Sequence, residues 1–186
     1  MRTGIAFALL LLATPASAQN YRAAPVVAAQ RGGDGGRASA SMDVPAPPSA
    51  VWSILSDCGR ARSFMRDLVS CRVPDRGEGW DVREHRVRAF PLGAVMRNVS
   101  RITLEPNRRL AFHRLEGEWT RSEGEWRLTP IDDGRGTHVE YQIDAAFRGP
   151  IPAGISQSRL VSSVRNTLAD LRREAERATG PSAGAN

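Results

Sequence analysis

Three histidines, His85, His113 and His138, are the side chains best suited to acid–base chemistry in this 186-residue chain. Each qualifies by type as a general base, because an unperturbed imidazole titrates near pH ~6.5. No two have metal-ligand spacing, no nucleophile has a base beside it, and no phosphate-binding loop is present. We therefore predict no metal, no cofactor and no catalytic residue. Binding is favoured over catalysis, and an enzyme that uses His85 or His113 with Glu84 or a tyrosine is the alternative.

The segment Trp80–Phe90 carries charged side chains on both faces of a predicted strand. A charge that points inward must be paired, because an isolated ion is strongly disfavoured in the protein interior. We expect Glu84 or Arg86 to form the polar end of a ligand cavity that binds a carbonyl or hydroxyl group. Its partner is expected among Arg97, Asn98 and Arg114. The alternative is a sheet edge with both faces partly in water.

The stretch Arg109–Pro130 alternates apolar and polar residues on both sides of a glycine turn. This pattern predicts a long antiparallel hairpin with aromatic residues on one face. Aromatic and methionine side chains suit the wall of an apolar pocket, since they bury large areas and adapt to irregular shapes. The candidate wall residues are Phe64, Met65, Met96, Phe112, Trp126 and Tyr141. Ordinary core packing is the alternative for each of them.

The first 18 residues have the features of a secretory signal peptide. Arg2 precedes a short apolar run, and Ala16 and Ala18 give the A-x-A pattern of a cleavage site. We expect cleavage after Ala18 and a periplasmic or secreted mature protein. The glycine-rich stretch 19–37 is interpreted as a flexible linker, residues 38–177 as one ligand-binding domain and residues 178–186 as a flexible tail.

Cys58 and Cys71 are the two cysteines of the chain. In an oxidising compartment an even pair predicts a disulfide. Closing a loop of this length stabilises a protein by about 3 kcal/mol in the chain-entropy model. We expect the bond to join the end of the first helix to the following strand.

The net charge of +6 comes from 26 basic and 20 acidic residues, and every basic residue is an arginine. Export argues against nucleic acid as a partner. Acidic residues are interleaved with the arginines throughout, which favours a mixed, solvated surface. A peripheral contact between a basic face and an anionic membrane surface is the alternative.

The order of predicted elements is one strand, two short helices, six strands and a long helix. The first helix ends at Ser56, and a second helical turn covers Arg62–Asp67. In the last helix Leu160, Val164, Leu168 and Leu171 form an apolar stripe. Strands followed by one helix indicate an α+β domain in which a curved antiparallel sheet of about seven strands is covered by the helix. Such a sheet and a single helix leave space for a cavity between them.

Residues Val44–Glu174 resemble the START-like, helix-grip domains grouped as polyketide cyclase/dehydrase and coenzyme-Q-binding proteins. The resemblance is carried by VPAPPSAVWSILSDCGR (44–60), LEGEW with EGEWRLTP (115–130), DDGRGTHVEYQID (132–144) and FRGPIP (147–152). It implies a lipid, quinone, sterol-like or polyketide molecule held between the sheet and the long helix. The expected function is therefore an exported binding or carrier protein for a hydrophobic small molecule. A cyclase or dehydratase, or a basic module that docks on the envelope surface, is the alternative.

Overall fold

The computed structural model describes residues 20–32, 35–88, 93–147 and 153–180. Its elements run β1 (Val26–Gly32), β2 (Gly35–Val44), α1 (Pro48–Ser56), a 3-10 helix (Cys58–Ser63), β3 (Leu68–Gly77), β4 (Trp80–Arg88), β5 (Val95–Glu105), β6 (Arg109–Gly117), β7 (Trp119–Ile131), β8 (Gly136–Phe147) and α2 (Ala153–Thr179). The strands form one antiparallel sheet in the order β1-β2-β8-β7-β6-β5-β4-β3. This is the α+β helix-grip architecture that the sequence predicts.

One face of the sheet, called the inner face below, forms the core. It carries Leu110 on β6, Trp126 and Leu128 on β7, and Val139 and Tyr141 on β8, all buried. Strand alternation explains this, because residues two apart point to the same side. The described part of α2 packs mainly on β1, β2 and α1, and Val164, Leu168 and Leu171 are buried there.

The interpretation of residues 19–37 as a flexible linker is wrong over most of its length. Residues Val26–Gly32 form β1 and pair in register with β2, from Val26 opposite Ser41 to Gly32 opposite Gly35. The preceding segment is held against α2, because the Arg172 guanidinium donates hydrogen bonds to the carbonyl oxygens of Tyr21 and Ala23 at 2.8 and 2.7 Å. Glycines of this run therefore belong to paired strands, and the domain begins well before residue 38.

The segment after α1 also differs from the sequence interpretation. The second helical turn covers Cys58–Ser63, whereas the sequence analysis placed it at Arg62–Asp67. α1 ends at Ser56, as the apolar pattern predicts, and Asp57 begins the 3-10 turn by accepting a hydrogen bond from the Gly59 amide at 2.7 Å. Two ion pairs then connect the segment to α2, Arg60 with Glu174 at 3.0 Å and Arg66 with Asp170.

The Cys58–Cys71 disulfide is present, with a Cα–Cα distance of 5.6 Å. It joins the 3-10 helix to β3, as the sequence predicts. Together with the two ion pairs, it fixes the short helical segment against the sheet on one side and α2 on the other.

None of the helices in the described part of the chain is long and apolar enough to cross a membrane. The proposed signal segment, residues 1–18, lies outside the described residues. Residues 181–186 of the predicted tail also lie outside the described residues. Residues 178 and 179 of that tail belong to the end of α2.

Candidate functional site

Four aromatic rings, called the aromatic wall below, cluster in the core on the inner face where β7 and β8 pair. Trp126 and Tyr141 are directly opposite in the register, and their rings stack with centroids 4.0 Å apart. Phe64 meets Trp126 edge-on at 6.3 Å, and Phe112 lies 6.4 Å from Tyr141. Burial raises the pKa of the Tyr141 hydroxyl, so it remains protonated at neutral pH. All four rings are among the wall residues predicted from the sequence, and the fold brings them into one cluster.

Gly124 leaves room for the tip of the Phe112 ring, which lies opposite it on the neighbouring strand. A Cβ atom at this position would stand 2.8 Å from Phe112 Cζ and 2.0 Å from the Gln142 carbonyl oxygen. The two candidate methionines lie at different places. Met65 packs against the core, and Met96 is half-buried opposite Val87 on the same face of the sheet.

A buried ion pair occupies one end of the inner face. Arg83 Nε donates to the Asp81 carboxylate at 3.0 Å, and the two side chains are only 5% and 10% exposed. The same guanidinium donates to the Leu55 and Ser56 carbonyl oxygens at 3.0 and 2.8 Å, where α1 ends. These bonds satisfy the charge and also cap the helix. The expectation of a paired inward charge on this strand is confirmed, but with different residues.

Glu84 and Arg86 point away from the inner face, which corrects their placement at the polar end of a cavity. Glu84 accepts hydrogen bonds from Arg97 at 2.8 Å and from Arg86 at 3.4 Å on the solvent side of the sheet. The bond from Arg97 is the main cause of a lowered Glu84 pKa. Neither face of this strand is cleanly apolar, so alternation alone did not decide which charges point inward.

Next to the ion pair, the inner face carries a group of polar side chains, called the inner polar cluster: His85, Asn98, Ser100, Arg114 and Ser122. His85 is directly opposite Asn98, and Ser100 is directly opposite Arg114. The Asn98 amide nitrogen donates to the Ser100 and Ser122 hydroxyls at 3.1 and 3.3 Å. Parity therefore places five polar groups on the side of the sheet that elsewhere forms the core.

Three atoms of this cluster are buried yet have no hydrogen-bond partner among the described residues: His85 Nε2, Asn98 Oδ1 and Arg114 Nε. Buried polar atoms in folded proteins are normally satisfied, so each exception indicates a bound group, water or ligand. Burial, followed by the nearby charge of Arg83, lowers the pKa of His85 to about 4. The ring is therefore neutral at physiological pH and provides a hydrogen-bonding group, not a charge.

The other two histidines are outside this cluster. His113 is exposed and has the opposite strand parity, facing the solvent side between Arg101 and Glu123. His138 Nδ1 lies 2.6 Å from Asp43 on the same solvent side. Among the residues that the structure describes, no three His, Cys, Asp or Glu side chains are grouped as a metal site requires.

The solvent side of the sheet has a groove of about 560 Å³ near β1, β2, β7 and β8. Its lining includes Arg37, Glu125 and Asp144. The Asp144 carboxylate is already bridged to Arg37 and Arg121 at 2.6 Å each. Asp144 and Glu125 are thus paired with arginines, whereas the inner polar cluster contains buried polar atoms without a partner, so we place the candidate site on the inner face.

The inner polar cluster was only partly found from the sequence. The sequence indicates Asn98 and Arg114 as partners of Glu84 or Arg86, and His85 as a possible base, but it does not indicate Ser100 and Ser122. Strand alternation on β5 could have identified Ser100. Asn98, Ser100 and the core residue Ile102 are two positions apart, so all three side chains point to the same face of the sheet.

Comparison with known proteins assigns this arrangement to a family. Residues 44–172 match the family described as polyketide cyclase / dehydrase and lipid transport. The chain belongs to this family. No curated protein sequence matches it significantly.

Solved structures share this fold. The STAR-related lipid transfer protein of Xanthomonas axonopodis has a TM-score of 0.71 at 19% identity, and the match covers 82% of this chain and 94% of that one. The ZhuI aromatase/cyclase from Streptomyces has a TM-score of 0.65 at 21% identity, over 87% and 99%. A START superfamily protein from Mycobacterium smegmatis has a TM-score of 0.67 at 16% identity, over 77% and 99%. At these identities the likeness establishes the fold.

Proposed function

We propose that this protein is an exported carrier that holds a hydrophobic small molecule on the inner face of its sheet. The observation that carries the proposal is the combination of an aromatic wall with buried, unpartnered polar atoms on the same face. An apolar pocket with a few polar groups is the usual form of a small-molecule site. The family also includes lipid transport, which requires a binding site of this type.

Two features support export. Residues 1–18 have the signal-peptide pattern, and the Cys58–Cys71 disulfide suits an oxidising compartment. Secretion of the full chain with sequencing of the mature N-terminus tests this part of the proposal. A new N-terminus at residue 19 supports it, and an uncleaved or cytoplasmic protein contradicts it.

Catalysis is the second candidate, because the family also includes cyclases and His85 faces the inner side. A general base is most effective when its pKa lies near the working pH. The His85 pKa of about 4 makes the ring a weak base, and no carboxylate is bonded to it in any described contact. The properties of His85 favour a hydrogen bond to a ligand over proton abstraction.

The first experiment is native mass spectrometry of the protein purified from its own exported fraction, followed by solvent extraction of whatever is bound. A stoichiometric apolar molecule supports the carrier proposal and identifies the ligand class. An empty protein that gains no thermal stability from lipids, quinones or polyketide-like phenols overturns it.

A matched pair of variants separates binding from catalysis. His85→Gln changes the inner face, whereas His113→Gln changes an exposed ring on the adjacent solvent side. For a carrier, His85→Gln weakens binding of the extracted molecule and no turnover is observed with either protein. Conversion of that molecule by the wild type, abolished by His85→Gln but not by His113→Gln, would support the enzyme instead.

A further inference from the structure

We infer that the inner polar cluster selects apolar molecules that end in an anionic oxygen and carry a hydroxyl group nearby, in the manner of a hydroxy acid. Arg114 binds the anionic oxygen, and Asn98 accepts the hydroxyl hydrogen. This inference rests on the proposed function and adds the chemical class of the ligand's polar end.

The charge of Arg114 favours an anionic ligand group. Its guanidinium is positive at any physiological pH, and its side chain shares the parity of the buried Leu110 on the inner face. Its described hydrogen bond goes to the Gly117 carbonyl oxygen at 2.9 Å, which is a neutral acceptor. None of the ion pairs found among the described residues includes Arg114, and those of Arg83 and Arg97 go to other carboxylates.

The neighbouring arginines show how unusual this is. Arg83, on the same face, is neutralised by Asp81, and Arg97, on the solvent side, is bonded to both Glu84 and Glu116. A half-buried cation without a counter-ion is unfavourable in the empty protein. An anionic ligand oxygen at the unpartnered Nε would compensate the charge and form a charge-assisted hydrogen bond.

The orientation of the Asn98 amide favours a ligand group that donates a hydrogen bond. Its nitrogen donates to two serine hydroxyls, which leaves Oδ1 as a buried acceptor without a donor. A carboxylate has no hydrogen to offer, so an acid alone would leave this atom unsatisfied. A hydroxyl group near the acid supplies that hydrogen. The neutral His85 ring, directly opposite Asn98, adds a second uncharged hydrogen-bonding group.

The test measures the dissociation constants of four probes by calorimetry below their micellar concentrations: β-hydroxydodecanoate, dodecanoate, methyl dodecanoate and dodecylamine. We expect the two acids to bind at least about tenfold more tightly than the ester or the amine, since one charge-assisted hydrogen bond is enough for that factor. We expect β-hydroxydodecanoate to bind more tightly than dodecanoate. If the acids and the ester bind equally, the role of Arg114 is overturned. If the two acids bind equally, the role of Asn98 is overturned.

Two variants with the same charge change provide the control. Arg114→Gln should remove the preference for acids over the ester and leave ester binding within about twofold. Arg127→Gln, on the solvent side of β7 and paired with Glu125, should leave the preference unchanged. The melting temperature of each empty variant is measured in parallel, and we expect Arg114→Gln to melt no lower than Arg127→Gln.

The outcomes also separate this inference from the proposed function. If the wild type binds the ester and the acids equally, the carrier proposal stands and the charge selection is wrong. If it binds none of the probes, and no apolar molecule is recovered from the native protein, the carrier proposal itself fails. If Arg114→Gln weakens acids and ester by the same factor, Arg114 is structural and the inference is overturned.

Discussion

Replacement of Arg83 by methionine is the strongest test of how the fold is held together. The guanidinium makes bonds to Asp81 at 3.0 to 3.2 Å and to the carbonyl oxygens of Leu55 and Ser56, so it connects β4 to the end of α1. Arg83→Met leaves a buried carboxylate without a counter-ion. Loss of one partner of a buried pair costs about 3–5 kcal/mol, well above the effect of a surface pair.

The assay is urea unfolding at neutral pH, followed by circular dichroism. With a denaturant slope of about 2 kcal/mol per molar, a loss of about 4 kcal/mol lowers the midpoint by about 2 M. Arg86→Met is the control, because Arg86 is 53% exposed and bonded only at 3.4 Å to Glu84. We expect that variant to remain within about 0.5 kcal/mol of the wild type.

A double variant identifies the cause of the loss. Asp81→Leu combined with Arg83→Met removes both charges, so we expect it to be more stable than Arg83→Met alone, although the two helix carbonyls remain uncapped. A loss below about 1 kcal/mol in Arg83→Met, or a double variant that is less stable than that single variant, would refute the argument from the buried charge.

Three further predictions concern stability. The Cys58–Cys71 bond joins residues 13 positions apart, and its reduction should lower the free energy of unfolding by about 3 kcal/mol. Urea unfolding with and without dithiothreitol measures this loss, and an unchanged midpoint would contradict it. The His85 pKa is about 4 in the folded protein and about 6.5 unfolded, so the unfolded state binds more protons between these values. Stability should therefore fall as pH decreases from 6.5 to 4, and unfolding of His85→Gln across that window should show a shallower fall; equal slopes would show that His85 is not buried as described. Gly124→Ala should lose about 1–3 kcal/mol in thermal unfolding, because its Cβ would overlap the Gln142 carbonyl oxygen at 2.0 Å, and a neutral effect would mean that the strand shifts freely.

Strand and helix positions follow largely from local patterns in this chain. The alternation in Trp119–Ile131 predicts β7 with its bounds, and the apolar stripe of Leu168 and Leu171 predicts a closing helix. These signals are readable because one face of each element is buried and the other is in water. β1 was missed because its alanines and flanking glycines resemble a linker, and only its pairing with β2 makes it a strand.

The site depends much more on tertiary structure. The aromatic residues predicted from the sequence do meet in the structure, as Trp126 and Tyr141 show. Large apolar side chains on the same face of a sheet converge in a core, so residue type and alternation are enough to predict them. The choice of Glu84 over Asp81 and Arg83 was wrong, because both faces of β4 carry charge and a shift of one residue exchanges them. Only the register with β5 determines which charges point inward.

The sequence by itself therefore determined the fold class, the disulfide and the aromatic wall, because each depends on residue type and local periodicity. The tertiary structure alone decided which polar atoms are buried without a partner. His85, Asn98 and Arg114 are separated by 13 and 16 positions in the chain, and neighbouring strands bring them onto one face. Whether such an atom is satisfied depends on every group around it, and that information is a property of the packed structure.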